Sequence, residues 1–127
     1  MVPPINQKPD PIIKITGCDG DKLILSDGGK TTTTRANIVF WKIEDGVTCV
    51  KEIDSIFMKD IPNNVDVFDD GDPRKMNPNV SKSEWRGRIK PHLPLPGGNS
   101  VKYIYKIDWI DDLGNKHTYD PEIEVNE

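Results

Sequence analysis

Between positions 66 and 72 the chain reads Asp66-Val67-Phe68-Asp69-Asp70-Gly71-Asp72, four carboxylates within seven residues and a glycine that permits a sharp turn. Hard oxygen donors gathered in a loop are what Ca²⁺ selects, so Asp66, Asp69, Asp70 and Asp72 are the candidate calcium ligands. Their order departs from the EF-hand loop. Aspartate also suits turns and keeps edges wet, and the reading the sequence favours for this run is a solvated acidic loop without metal. Beyond calcium, the sequence suggests no cofactor. The two cysteines, Cys18 and Cys49, match neither the CxxC redox spacing nor a four-ligand zinc set. They form either one disulfide or a pair of buried thiols.

Acid–base and nucleophilic chemistry finds little to build on. His92 and His117 fall on turn or strand positions with no serine or cysteine nucleophile in a recognisable motif, and GxSxG, P-loop, dinucleotide and HExxH patterns are missing. Paired carboxylates obey no spacing rule, which leaves a small hydrolase using acidic residues as the enzymatic alternative. Trp41, Trp85, Tyr103, Tyr105 and Trp109 suffice for a sugar or peptide platform. Yet Trp85 and Trp109 occupy the apolar register of their segments and are expected in the core, which would leave Trp41 or Tyr119 as the platform. Arg86, Arg88, Lys90, Lys102 and Lys106 sit in the complementary polar register, a basic strip that is either ordinary surface patterning or a contact for an anionic partner. Thr31 to Thr34 reads as the start of a strand rather than as a flat threonine face.

The elements that must position these residues follow from composition. The chain has 127 residues, with 17 Lys and Arg against 21 Asp and Glu and a net charge of −4, which argues against phosphate-backbone binding and hence against nucleic acid as a partner. Ile and Val total 24, whereas Leu and Ala total six with Ala36 the single alanine; β-branched residues in that excess favour strands and exclude a helical bundle. No apolar run approaches the ~18 residues of a membrane-spanning helix. Met1-Val2-Pro3-Pro4 lacks the basic and apolar parts of a signal peptide, so the start suits a cytosolic chain or an exported one whose signal lies outside this sequence. Pro3, Pro4, Pro9 and Pro11, interleaved with polar residues, read as an extended linker over residues 1–10 that tethers a single β-sandwich domain spanning 11–127; that tether favours export, to a periplasmic, surface or secreted location.

Period-two alternation places the strands. Residues 11–15 and 22–26 are short apolar runs around a Gly-Asp turn. Thr31 to Ile43 carries apolar residues on both alternating faces and reads as one long central strand with a bulge. Residues 50–59 fit both periods, and the β-rich context assigns them to a strand. Val65 to Phe68 reads as a short edge strand inside the long irregular stretch 60–83. Val101, Tyr103, Tyr105, Ile107 and Trp109 alternate with mostly charged residues over nine positions, the strongest such signal in the chain, and Asp111-Asp112-Leu113-Gly114-Asn115 turns it into a hairpin with residues 116–119. Ile123 and Val125 mark a last edge strand after Asp120-Pro121. The sum is an all-β chain, expected as an immunoglobulin-like antiparallel β-sandwich of about seven or eight strands.

Trp85-Arg86-Gly87-Arg88-Ile89, Leu95-Pro96-Gly97-Gly98, Tyr103-Ile104-Tyr105-Lys106-Ile107-Asp108-Trp109, Gly114 and Asp120-Pro121 together resemble the second half of bacterial immunoglobulin-like and early-set sandwich modules. The resemblance covers residues 85–125 and implies a noncatalytic binding or structural module with a protein or glycan partner. Some starch- and glycogen-binding modules share this order of motifs, which makes a carbohydrate-binding module the principal alternative.

Overall fold

A computed structural model describes residues 9–95 and 100–126 of the chain. Their regular structure is entirely strand, and no helix among them is long and apolar enough to cross a membrane. Ten strands follow in order: β1 (Ile12–Asp19), β2 (Lys22–Leu25), β3 (Lys30–Thr34), β4 (Ile38–Ile43), β5 (Val50–Met58), β6 (Arg74–Lys75), β7 (Trp85–Arg88), β8 (Ser100–Asp111), β9 (Lys116–Tyr119) and β10 (Glu122–Asn126). They build two sheets, one ordered β2-β1-β4-β7-β6 and the other β3-β10-β8-β5, with β9 pairing farther along β8. The count exceeds the expected seven or eight because β6 has two residues and because β9 and β10 succeed one another along β8, separated only by Asp120-Pro121. Nor are the sheets purely antiparallel, since β1 runs parallel to β4 and β10 parallel to β3. Most of the 1–10 linker and of the 95–98 turn lies outside the described residues. Asp10 is described, and its carboxylate accepts the Ile38 amide at 2.9 Å.

The segment Thr31 to Ile43 is not one strand. Its first part, β3, belongs to the second sheet and its last part, β4, to the first, so the chain crosses the sandwich at Arg35–Asn37, where Ala36 takes a left-handed φ of 69°. Val65 to Phe68 likewise gives no strand, only a bridge between Phe68 and Ile89. The double periodicity of 50–59 has a simple origin. A register shift between Ile53 and Ser55 places both Ile53 and Ile56 inward, so a bulged strand imitates helical spacing.

Where the sheets meet, Trp41 of β4 donates its indole N–H to the Tyr105 hydroxyl of β8 at 3.1 Å, and the rings stand edge to face with centroids 5.8 Å apart. Phe68 enters from outside the strands and sits fully buried between Trp41 and Tyr103, at 5.9 and 5.1 Å. Burial pushes the Tyr103 and Tyr105 hydroxyls well above the usual phenol range, which keeps both neutral and able to hydrogen-bond. Room for the Phe68 ring depends on Gly87 of β7, since a Cβ there would lie 2.7 Å from its Cδ1.

Beyond the end of β5, a side chain continues the ladder. The Asn64 carboxamide donates to the carbonyls of Lys59 and Ile104, each at 2.7 Å, and accepts the Ile104 amide at 3.0 Å. Asn64→Ala leaves the Ile104 amide without its acceptor and takes one of two donors from each of the Lys59 and Ile104 carbonyls, which still accept the Ile61 and Lys59 amides, respectively, at 3.0 Å. The expected loss is about 1–3 kcal/mol, read as a lower urea midpoint with an unchanged slope.

Candidate functional site

Three of the four loop aspartates are engaged separately. Asp66 accepts the Phe68 amide at 3.2 Å, and Asp72 accepts the Arg88 amide at 2.9 Å while lying 3.6 Å from the Arg74 guanidinium. Asp69 faces the Arg88 guanidinium at 3.6 Å. Asp70 is exposed beside Lys90, Pro91 and His92. Their carboxylates shape the turn that delivers Phe68 to the core, and among the described residues no group of three or more His, Cys, Asp or Glu is placed to hold a metal ion.

Cys18 and Cys49 are joined in a disulfide with Cα atoms 6.3 Å apart. It ties the end of β1, in the first sheet, to the segment entering β5, in the second. The Asp112 amide donates to the Cys49 carbonyl at 3.1 Å, so the β8–β9 turn is fastened to the same point.

One acid–histidine pair escaped sequence reasoning. Asp111 accepts hydrogen bonds from His117 Nε2 at 2.8 Å and from the Leu113 and Asn115 amides at 2.9 Å each, and the His117 ring lies over Trp109 with centroids 4.6 Å apart. The available signal was an aspartate opening the turn whose far strand carries a histidine at the position opposite a tryptophan. This pair has no nucleophile to activate among the described residues, because the neighbouring hydroxyls go elsewhere. Thr118 Oγ1 donates to Asp108 at 2.7 Å and Ser55 Oγ to the same carboxylate at 3.5 Å. Asp54, Asp108, Lys116, His117 and Thr118 border a recess of about 330 Å³ over Trp109.

The hydrogen bond from His117, and then those from the two amides, hold the Asp111 carboxyl below the ordinary carboxylate value. A group depressed in the fold stabilises it above the unfolded-state pKa and loses that contribution as pH falls through the folded value. Stability is therefore expected to decline from about pH 4 downwards, and Asp111→Asn should flatten that part of the stability–pH curve, as chemical denaturation at a series of pH values would reveal.

Burial decides the aromatic platform. Trp41, Trp85 and Trp109 are 0%, 8% and 1% exposed, so none presents a ring face to solvent. Tyr119 is half-buried, with its hydroxyl so close over Gly29 that a Cβ there would stand 2.8 Å away. Thr31, Thr33 and Thr34 are buried and only Thr32 is exposed, so no flat threonine face exists.

The basic strip is divided between the two sheets. Lys102 and Lys106 point outward from the second, and Lys90 donates to the Asp66 carbonyl at 3.2 Å. Arg86 and Arg88 point outward from the first, where alternation in β1, β2 and β4 adds Ile12, Lys14, Ile24, Ile38, Phe40 and Lys42 to the same face. Ile12 and Ile24 are 55% and 46% exposed. One row across the strands runs Ile12, Phe40, Arg86, Arg74, and the next places Lys14 directly opposite Lys42. Arg74 and Arg88 have the carboxylates named above. Lys14, Lys42 and Arg86 make no ion pair among the described residues, and directly opposed like charges cost a sheet a few tenths of a kcal/mol or more. Two further carboxylates without an ion pair among the described residues, Glu44 and Glu84, flank Lys42 at the rim.

This outward face intersperses apolar and charged side chains, with Ile12 and Ile24 exposed and Lys14, Lys42 and Arg86 making no ion pair among the described residues. No protein-family model matches the chain, and no curated protein matches it.

Proposed function

We propose that the chain is a noncatalytic, immunoglobulin-like β-sandwich module of an exported or surface-associated protein, and that it works by offering the outward face of its first sheet to a protein partner. The observation that carries this reading is the coincidence, on one face, of exposed Ile12 and Ile24 with Lys14, Lys42 and Arg86, which lack counter-charges among the described residues. Protein interfaces combine apolar contact with guanidinium anchors in this manner. The two packed sheets, with β6 minor and β9 and β10 sharing one edge of β8, support the immunoglobulin-like assignment. A disulfide joining the sheets is typical of oxidising compartments and supports export. The noncatalytic part rests on the dispersal of imidazole and hydroxyls onto different carboxylates.

A glycan partner would need an exposed ring, and the three tryptophans are buried. The discriminating experiment titrates the protein with a Glu- and Leu-rich peptide and, separately, with soluble glucans. The peptide is expected to bind, and Ile24→Ser with Lys42→Glu to weaken it at least tenfold without changing the far-UV circular dichroism. Binding of a glucan that protects tryptophan emission from iodide, with no peptide binding, would replace this reading by the carbohydrate-binding one.

A further inference from the structure

Resting on that reading, we infer that the partner is a second copy of this chain, docked face to face about a two-fold axis that runs along the strands between β4 and β7. Such an axis exchanges β4 with β7 and leaves the rows in place. Trp41 pairs with Trp85, so one residue farther on Lys42 stands beside Glu84, and the two-fold lays Lys42 of each copy over Glu84 of the other. In the row before, Phe40 is opposite Arg86, so the same operation sets each Phe40 ring against the other copy's guanidinium, a favourable cation–aromatic contact. Lys42 and Arg86, which make no ion pair among the described residues, each gain a contact across the axis.

The mixture of signs is what selects a second copy. A face carrying cations alone would repel its own image, whereas here a carboxylate, Glu84, stands at the position that the two-fold exchanges with Lys42. Isologous contacts require self-complementarity of this kind. Two sheets also pack face to face with their strands nearly aligned, as this axis demands. The four strands nearest the axis lie about 4.8 Å apart, and the four residues of β7 and two of β6 limit the overlap to a footprint on the order of 15 by 13 Å. That is small for a stable dimer and places the association in the weak class.

The test is sedimentation equilibrium of the intact protein from about 10 µM to 1 mM at low and high salt. A concentration-dependent dimer, weakened by salt, is expected. Lys42→Glu alone and Glu84→Lys alone should each sediment as monomers, with circular dichroism and unfolding midpoint confirming the fold. Mixing the two variants should restore dimers, because each heterodimer contains two oppositely charged contacts while the charges within each chain stay mismatched. The variant carrying both changes should dimerise like the parent. A parent that stays monomeric to 1 mM overturns self-association; if it still binds the acidic peptide through Lys42, the reading of the face survives. A parent dimer indifferent to both reversals, or a mixture that stays monomeric, also overturns the proposal, since the copies would then meet elsewhere.

Discussion

Replacing Cys18 and Cys49 together by serine lowers the unfolding free energy by about 4 kcal/mol. The expectation comes from the chain entropy released when a crosslink spanning a sequence separation of 31 is removed from the unfolded ensemble. For a domain of this size the melting temperature should drop on the order of 10–20 °C. The bridge does more than close a loop, because it fastens β1 of one sheet to the entrance of β5 in the other, and the Asp112 amide is bonded to the Cys49 carbonyl. Reduction of the native protein should reproduce the loss, and thiol titration of unfolded, unreduced protein should detect no free thiol. Two free thiols, or a loss below about 1 kcal/mol, would contradict the crosslink's role.

The second large effect is expected at Phe68. Truncation to alanine empties the space between Trp41 and Tyr103 and should cost about 3–5 kcal/mol. Gly87→Ala attacks the same contact from the opposite side. Its methyl would collide with the ring at 2.7 Å and crowd Pro73 Cγ at 3.3 Å, and overpacking of about 1–3 kcal/mol follows. Because the two changes share one space, they should not add. Phe68→Ala makes room for the methyl, so the double variant is expected to be no less stable than Phe68→Ala alone, a coupling that a double-mutant cycle in urea measures directly.

How much of this was legible depends on whether the information was local. The alternation from Val101 to Trp109 marks β8 and its inward face correctly, since Tyr103, Tyr105, Ile107 and Trp109 are all buried. The inward register of Trp85 was equally readable. Phe68 was not, because its burial is set by a loop and by a glycine on another strand rather than by any period. The segment 31–43 misled for a related reason. Apolar residues on both faces are expected of a central strand covered on both sides, yet Ile38 and Phe40 point outward from β4 and are only half-covered. An outward apolar patch and a doubly covered strand write the same pattern, and only the second layer, or its absence, distinguishes them. The crossing at Ala36 left no signature, since alanine rarely adopts the left-handed conformation it holds here. Among the candidate site residues, Arg86 and Arg88 were visible as outward cations, but the isoleucines and lysines beside them belong to strands far earlier in the sequence.

The parallel pairing of β3 with β10 dictates an order of events during synthesis. Lys30 to Thr34 emerge early, yet their hydrogen-bonding partner in the second sheet is Glu122 to Asn126. Until those residues leave the ribosome, β3 has no neighbouring strand, and Thr31 and Thr33, buried in the finished protein, stay hydrated. Local structure can form earlier, beginning with the β1–β2 hairpin, but the second sheet closes only late, through contacts of high sequence separation that make folding slow. A nascent chain whose second sheet stays open until β10 emerges remains threadable up to that point, the condition in which a polypeptide can pass through a narrow translocation channel before its two sheets lock together.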